Sequence, residues 1–493
     1  MLKDFYSKNI MGGSKAIVMV FLLMFAACDS PENKIELKRE INDPQPISNL
    51  QTIKDNNKLV VITDYNSHGY FIYRGTPLGF QYELLNAFAS YLNVELDLVV
   101  KNSLPEAFAD LQEGECDILA MDLAITKERK KKMIFSDPIY QSQQVLVQRL
   151  PQGWRKMRTW DDIESHLVRD AIFLQGKKVH IKEGSVFYQR LSNINDETGG
   201  EMHIIEDELG VDKLIEQVSN GEIEYTICDS HVAAINKKYH KNIDIETKLG
   251  DYSQNLAWAF PLKSDSLRLL VNEWLRSYKK TKEFYFVYNK YFKNSRTTMM
   301  AKSEYNSYSG GKISPFDSII KKYSREINWD WRLLASLIYQ ESKFNPKAES
   351  WAGAYGVMQI MPNTAKELGL DRTSPVDNQI KAGVNYLSEI DLRFKEKVAD
   401  SMERQKFVMA SYNVGLAHVF DAQRLAKKYH KNPEIWDDNV AYFLLNKSDP
   451  AYYQDPVVHY GYCRGSEPYN YVKAIFDRYN DYMNLIVENK EAE

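Results

Sequence analysis

One carboxylate interrupts an otherwise apolar helical stripe in the segment NWDWRLLASLIYQESKFNPKAES, which begins at residue 328. Leu334, Leu337 and Ile338 fall at helical spacing, and Glu341 takes the next position of the same stripe. A carboxyl group turned inward near the C-terminal end of a helix meets burial and the negative end of the helix dipole, which both raise its pKa. The pattern therefore predicts a general acid at position 341 that keeps its proton at neutral pH.

Three later segments carry polar side chains that emerge from apolar surroundings. AGAYGVMQIMPNTAKELG contains Gln359 after two glycines, which let the backbone approach a ligand closely. FVMASYNVGLAHV ends an apolar helical run with Tyr412 and Asn413, and YNYVKAIFDRY places Tyr471 on an aromatic-rich helix. The first of these segments is predicted to be a substrate-facing turn that enters a helix.

Four short motifs in this region resemble a known enzyme family. QES at 340–342, GVMQIMP at 356–362, ASYNVG at 410–415 and YVKAI at 471–475 are similar, in order and spacing, to the motifs of family 1 lytic transglycosylases, the SLT domain. The resemblance implies cleavage between N-acetylmuramic acid and N-acetylglucosamine in peptidoglycan glycan strands, without water, leaving a 1,6-anhydromuramoyl end. It also implies that Glu341 is the catalytic acid and then base. The substrate-binding residues that it implies are Ser350, Gln359, Tyr412, Asn413 and Tyr471.

Two other functions stay open at this point. A hydrolase of the lysozyme type needs a second carboxylate, and Glu349, beside Ser350, is a candidate for that role. A tethered ligand sensor with an inactive enzyme domain is the other alternative. The intact Glu341 and all four motifs speak against the sensor, and the cores of the other three motifs contain no Asp or Glu that could serve a hydrolase.

The elements that carry these residues divide the chain into a mixed region and a helical one. Short β-type runs such as LVVIT at 59–63 alternate with helical patterns between residues 58 and 293, which is typical of an α/β fold with a mostly parallel sheet. Residues 294–312 are rich in Ser and Gly and are predicted to be a linker. From 313 to 493 only helical stripes remain, which predicts an all-α domain.

The mixed region resembles the type 3 family of periplasmic solute-binding proteins, through GTPLGFQYELLNAFASYL and CDILAMDLAITKERKKKMIFSDPIY. The resemblance implies two α/β lobes around a ligand such as an amino acid or a muropeptide. By this resemblance Arg129 would bind a carboxylate of the ligand and Asp229 an amine. Tyr65 or Phe71 would form an aromatic wall of the site, and Ser185 would supply a hydroxyl.

Together the two resemblances predict a multidomain fold, in which a two-lobed α/β domain like a periplasmic binding protein precedes an all-α lysozyme-like domain. This pairing resembles the membrane-bound lytic transglycosylase F family.

The first residues indicate export. Lysines at 3, 8 and 15 precede an uncharged run that ends at Cys28, which is too short to span a bilayer but suits a signal peptide over 1–28. Two alanines directly before Cys28 resemble a lipobox, which implies lipidation of Cys28 and a polar tether over 29–57. The alternative is an ordinary cleaved signal with an incidental cysteine. The expected location is the periplasmic face of a membrane in the cell envelope, the outer membrane in the first place.

The overall composition excludes some partners. A net charge of −4 with both signs interspersed gives no electrostatic footprint for nucleic acid. The remaining cysteines, Cys116, Cys228 and Cys463, have no CxxC or histidine spacing, so they are predicted to be buried. Neither a metal site nor a cofactor is predicted.

Overall fold

The fold is taken from a computed structural model, in which residues 50–250, 252–293, 300, 303–307 and 311–486 are described. The predicted signal peptide, Cys28 and the first part of the predicted tether lie outside these residues. Within them, no helix combines the length and the apolar character needed to cross a membrane.

The α/β region has two separate sheets. Its strands are β1 (Lys58–Thr63), β2 (Phe71–Tyr73), β3 (Thr76–Leu78), β4 (Glu95–Val100), β5 (Ile118–Ala124), β6 (Ile134–Phe135), β7 (Tyr140–Ser142), β8 (Gln144–Arg149), β9 (Lys178–Lys182), β10 (His203–Asp207), β11 (Tyr225–Asp229), β12 (Ile243–Asp244) and β13 (Gln254–Phe260). The first sheet has the order β4-β1-β5-β13-β6, with β7 also paired to β13, and the second has the order β10-β9-β11-β8-β12. Each sheet is the centre of one lobe.

Both sheets mix a parallel core with antiparallel strands. In the first lobe β1 pairs in parallel with β4 and β5, and β13 returns antiparallel to β5. In the second lobe β9 pairs in parallel with β10 and β11, whereas β8 runs antiparallel to β11. The chain therefore crosses between the lobes twice, from β7 to β8 and from β12 to β13, which is a two-stranded hinge.

Helices cover these sheets and end where the sequence supplies the cap. They are α1 (Leu50–Asp55), α2 (Phe80–Leu92), α3 (Leu104–Glu113), α4 (Trp160–Glu164), α5 (Phe187–Thr198), α6 (Val211–Asn220), α7 (Ser230–Lys237), α8 (Asp265–Tyr278) and α9 (Lys282–Tyr288). In α3, for example, the Ser103 side chain accepts a hydrogen bond from the amide of Glu106, and Gly114 ends the helix in the left-handed conformation.

The C-terminal region is helical from Asp317 to Leu485. Its helices are α10 (Asp317–Glu326), α11 (Trp331–Ser342), α12 (Pro362–Glu367), α13 (Val376–Phe394), α14 (Ser401–Val414), α15 (Leu416–Lys428), α16 (Ala441–Leu445), α17 (Pro450–Tyr453) and α18 (Ser466–Leu485). The β-type pairing described there consists of isolated bridges in the turn around Tyr355. The two regions confirm the predicted fold class of an α/β two-lobed domain followed by an all-α domain.

The β2–β3 hairpin of the first lobe lies against the helical domain. The hydroxyl of Tyr482 on α18 donates to the carbonyl of Gly75 at 2.8 Å, and the hydroxyls of Thr76 and Tyr339 lie 2.7 Å apart. Gly75 has a φ of 76°, and an added Cβ would lie 2.7 Å from Phe344. Only glycine therefore fits this approach without strain.

Three details differ from the sequence-based expectations. Helix α1 lies within the segment predicted as tether, and its Ile53 is buried in the core of the first lobe. In the predicted linker, Ser307 exchanges hydrogen bonds with the backbone of Ile72. Phe71, one of two candidates for the aromatic wall, is only 1% exposed and belongs to the core. The predicted burial of the three cysteines is confirmed.

Candidate functional site

Helix α11 carries Glu341 in its last turn. Asp330 is the N-cap of the helix, and its side chain accepts a hydrogen bond from the amide of Arg332. Lys343 is the C-cap and has the left-handed conformation. The stripe of Leu334, Leu337 and Ile338 is fully buried in the core of the helical domain. The stripe thus turns the side chain of Glu341 inward, as the sequence pattern predicts.

The surroundings of Glu341 favour the protonated form of its carboxyl group. Burial raises its pKa from 4.5 to about 7, and a hydrogen bond from the hydroxyl of Tyr471 opposes this shift. Among the described residues these are the causes of the shift, so no second carboxylate acts on Glu341. A partly protonated carboxyl at neutral pH is a suitable general acid.

A tight turn at 348–360 is tied to the same helix. The hydroxyl of Ser342 donates to the carbonyl of Val357 at 2.9 Å, and the hydroxyl of Tyr412 donates to the carbonyl of Met358 at 2.7 Å. The side-chain amide of Gln359 donates to the carbonyl of Ala348 at 3.0 Å. Ser342 therefore ties the turn to α11, Tyr412 ties it to α14, and Gln359 closes it internally.

Ser350 and Asn413 border this arrangement. The amide of Ala354 donates to the Ser350 hydroxyl oxygen at 3.0 Å, which fixes the outer end of the turn. Asn413 is partly buried next to Tyr412 at the end of α14. Glu349, the candidate second carboxylate of a hydrolase, is instead exposed and paired with Arg372.

The four predicted ligand-binding residues of the α/β domain all line one cavity between the lobes. The cavity measures about 90 Å³, and Tyr65, Arg129, Ser185 and Asp229 contribute to its wall. The hydroxyl of Tyr65 is engaged by Ser307, and burial raises the pKa of Tyr65. Tyr65 thus lines the cavity while its hydroxyl is held by Ser307.

Arg129 and Asp229 are buried ionisable groups in the wall of this cavity. The guanidinium of Arg129 donates to the carbonyls of Ala124 at 3.1 Å and Gly184 at 3.4 Å, and the described residues include no carboxylate within ion-pair distance. Burial lowers the pKa of Arg129 to about 10 and raises the pKa of Asp229 to about 7. Within the described ranges, Asp229 Oδ1 and the Ser185 hydroxyl are buried and have no hydrogen-bond partner.

The lobes are closed on this cavity by direct contacts. The backbone amide and hydroxyl of Ser67 in the first lobe donate to Asp212 in the second at 2.9 and 2.8 Å. Lys182 and Asp64 form an ion pair of 3.3 Å across the same cleft. A ligand in the cavity would be enclosed by both lobes.

One cluster at the cavity was not found from the sequence. His68, Asp122 and His231 each offer a ligand atom, and these atoms lie within 4.8 Å of one another. No short motif links these residues, since 54 residues separate His68 from Asp122 and His231 belongs to the other lobe. Only the folded arrangement brings them together.

Comparisons with known proteins agree with the two-part organisation. Residues 59–294 match the family 3 bacterial extracellular solute-binding proteins, and residues 318–435 match the transglycosylase SLT domain. The membrane-bound lytic murein transglycosylase F of Desulfosudis oleivorans is 31% identical over 449 residues, covering 90% of this chain and 93% of the relative. That of Pseudoalteromonas translucida is 30% identical over 482 residues, covering 97% and 94%.

Among solved structures, an ancestral amino acid-binding protein, a precursor of cyclohexadienyl dehydratase, aligns with 25% identity and a TM-score of 0.42, covering 50% of this chain and 99% of that one. The fold and the site define a solute-binding module joined to an SLT transglycosylase domain. The chain belongs to the membrane-bound lytic murein transglycosylase F family, which confirms the resemblance seen in the sequence.

Proposed function

We propose that this chain cleaves the glycosidic bond between N-acetylmuramic acid and N-acetylglucosamine in peptidoglycan without water, with Glu341 as its single acid and base. The observation that carries the proposal is the buried carboxyl of Glu341, whose pKa burial raises to about 7 while Tyr471 holds its oxygen. Family membership supplies the class of substrate.

In the proposed reaction one carboxyl group performs both proton transfers. Glu341 donates its proton to the glycosidic oxygen as the bond to C1 of the muramoyl residue breaks. The resulting carboxylate then accepts the proton of that residue's own 6-hydroxyl, whose oxygen attacks C1 and closes the anhydro ring. Tyr471 orients Glu341, and Ser350, Gln359, Tyr412 and Asn413 position the sugar and the turn that faces it.

A matched pair of glutamines tests this assignment. With purified sacculi as substrate, Glu341→Gln is expected to lower the rate of soluble product release roughly 100- to 10,000-fold, as loss of a general acid does. Glu349→Gln removes an exposed, ion-paired carboxylate seven residues beyond the QES motif. It is expected to stay within about threefold of wild type, because surface ion pairs contribute little. Equal rates for wild type and Glu341→Gln would refute the role of Glu341.

We further propose that the cavity between the lobes binds a ligand with both a carboxylate and an amine, such as an amino acid or a muropeptide. Arg129 has no carboxylate partner among the residues that the structure describes and suits a planar anion, whereas Asp229 Oδ1 suits an ammonium group. Tyr65 and Ser185 complete the binding wall. Arg129→Ala is expected to abolish muropeptide binding in calorimetry, and retained affinity would contradict this part.

The β2–β3 hairpin offers a physical route for regulation by that ligand. The same chain segment carries Tyr65 at the cavity and Thr76, whose hydroxyl contacts Tyr339 two residues before Glu341. Tyr70 lies between them and bonds to Asp481 on α18, the helix that carries Tyr471. Added muropeptide is expected to change sacculus turnover by wild type but not by Arg129→Ala, and identical turnover in all four conditions would exclude regulation.

The remaining parts of the proposal concern organisation and location. We propose a signal peptide over 1–28, a tether over 29–57 whose last part forms helix α1 against the first lobe, a binding domain over 58–293, a linker over 294–312 and the SLT domain over 313–493. Lipidation of Cys28 would hold the enzyme at the periplasmic face of a membrane, the outer membrane in the first place. Cys28→Ala is expected to move the protein from the membrane to the soluble fraction, and an unchanged distribution would exclude this anchor.

A further inference from the structure

His68, Asp122 and His231 form a compact group of metal-ligating side chains at the base of the cleft. Nε2 of His68 lies 2.9 Å from Oδ2 of Asp122, and the rings of the two histidines are 5.2 Å apart in an edge-to-face arrangement. His68 is only 3% exposed, and its Nδ1 has no hydrogen-bond partner in the parts of the chain that the structure describes. An unsatisfied nitrogen at this depth needs an explanation.

We propose that these three residues bind one divalent transition-metal ion, with Zn²⁺ as the preferred ion. Two imidazoles and a carboxylate are donors that Zn²⁺ accepts at about 2.0–2.2 Å, which in a tetrahedron places donor atoms about 3.4 Å apart. The donor atoms of this cluster lie within 4.8 Å of one another. A shift of about 1–2 Å would complete the site.

Neighbouring side chains already orient the donors. The hydroxyl of Ser142 lies 3.0 Å from Nδ1 of His231, and Nε2 of the same ring has a longer contact of 3.4 Å with the hydroxyl of Tyr140, which a bound ion would replace. Asp122 accepts hydrogen bonds from Gln81 and from Tyr140, which fix its carboxylate plane. Metal ligands are commonly held by such outer contacts, because these set the tautomer and the direction of each ligand.

The position of the site gives it a structural consequence. His68 and Asp122 belong to the first lobe, whereas His231 lies in α7 of the second, one residue from Ser230, whose amide donates to Gln143 at the hinge. An ion held by all three would join the lobes at the hinge side of the cavity. Three protein ligands leave a fourth position, and because His68 and Asp122 line the cavity, a bound ligand can reach it.

The test uses the full chain after treatment with a chelator, titrated with Zn²⁺ in a calorimeter and with Co²⁺ in a spectrophotometer. Wild type is expected to bind one ion, and Co²⁺ is expected to give the visible absorption of a tetrahedral site. His68→Gln and His231→Gln are each expected to weaken binding by at least about 100-fold, since removing a ligand costs more than the 10- to 100-fold typical of an outer contact.

His180 provides a matched control. It also lies beside a carboxylate, with Nδ1 2.8 Å from Asp207, but it is not part of the three-residue cluster. His180→Gln is expected to bind Zn²⁺ as wild type does. Absence of stoichiometric binding by folded wild type would overturn the proposal, and so would unchanged affinity in His231→Gln. If His68→Gln does not fold, which circular dichroism would reveal, His231→Gln decides the outcome alone.

Discussion

Two buried carboxyl groups, Glu341 in the helical domain and Asp229 in the cleft, have the same shifted pKa but different surroundings. Burial raises the pKa of each to about 7. Glu341 receives a hydrogen bond from Tyr471, a neutral group, and no charged side chain in the described parts of the chain contributes to the shift of its pKa. Asp229 lies among charges, since Asp122 raises its pKa while His68 and Arg129 lower it.

Burial alone therefore does not decide the role of a carboxyl group. A neutral setting leaves Glu341 able to give and take a proton without moving other charges, which suits catalysis. A setting of mixed charges with an unpartnered oxygen leaves Asp229 ready for a charged ligand. The same desolvation therefore prepares one carboxyl for proton transfer and the other for binding.

The largest expected effect compares the two carboxyls directly. In the folded protein the pKa values of both carboxyls lie above their usual values near 4. The protonated carboxyls therefore contribute their full stability to the fold below pH 4, and this contribution is lost as the pH rises through about 7. Glu341→Gln and Asp229→Asn are each expected to raise the free energy of unfolding at pH 8 by roughly 2–4 kcal/mol, and by much less at pH 4.5. Urea unfolding at both pH values measures this. A gain that does not depend on pH would show that the carboxyls are not held protonated.

The next effect separates Glu341 from its partner. Tyr471→Phe removes the hydrogen bond that stabilises the carboxylate, so the pKa of Glu341 rises further and the alkaline limb of the pH–rate profile moves to higher pH. The rate is expected to fall about 10- to 100-fold because the carboxyl is no longer oriented.

Tyr479→Phe, on the same helix, is the control for this variant. The Tyr479 hydroxyl bonds to Asp330 rather than to Glu341, so the pH–rate profile is expected to stay in place. Equal profiles for wild type and Tyr471→Phe would mean that this tyrosine does not tune the acid.

The smallest expected effect concerns the contact between the two regions. Gly75 and Gly153 share a φ of 76°, but a Cβ at Gly75 would meet Phe344, Tyr339 and Tyr482, whereas no atom of the described ranges lies within 4 Å of a Cβ at Gly153. Both Gly→Ala changes cost backbone strain, and overpacking is expected to destabilise Gly75→Ala by about 1–3 kcal/mol more. Thermal or urea unfolding measures the difference. An equal loss of stability in the two variants would show that the β2–β3 hairpin is not closely packed against the helical domain at Gly75.

Much of the helical site was predictable because its residues lie within short motifs on regular elements. The stripe of Leu334 and Leu337 fixes the side of α11 that faces the core, so the inward direction of Glu341 follows from spacing alone. The bond from Tyr471 to Glu341 joins residues 130 positions apart, and only the motif resemblance indicated it.

The cleft was less predictable for a physical reason. Its walls come from two lobes, and the pairing of Ser67 with Asp212 or of His68 with Asp122 and His231 depends on how the sheets face each other. Periodicity carries no information about such contacts, because it describes one element at a time. The burial of Phe71 and the docking of Ser307 on Ile72 are likewise tertiary outcomes that local propensity does not contain.

The mass of the products released from sacculi tests the central claim most directly. If Glu341 alone provides the acid and the base, wild type is expected to release muropeptides that are lighter by one water than the hydrolysis products, and Glu341→Gln is expected to release almost none. Reducing ends from wild type would show that water attacks and that a second carboxylate takes part. That result would contradict the single-carboxyl account.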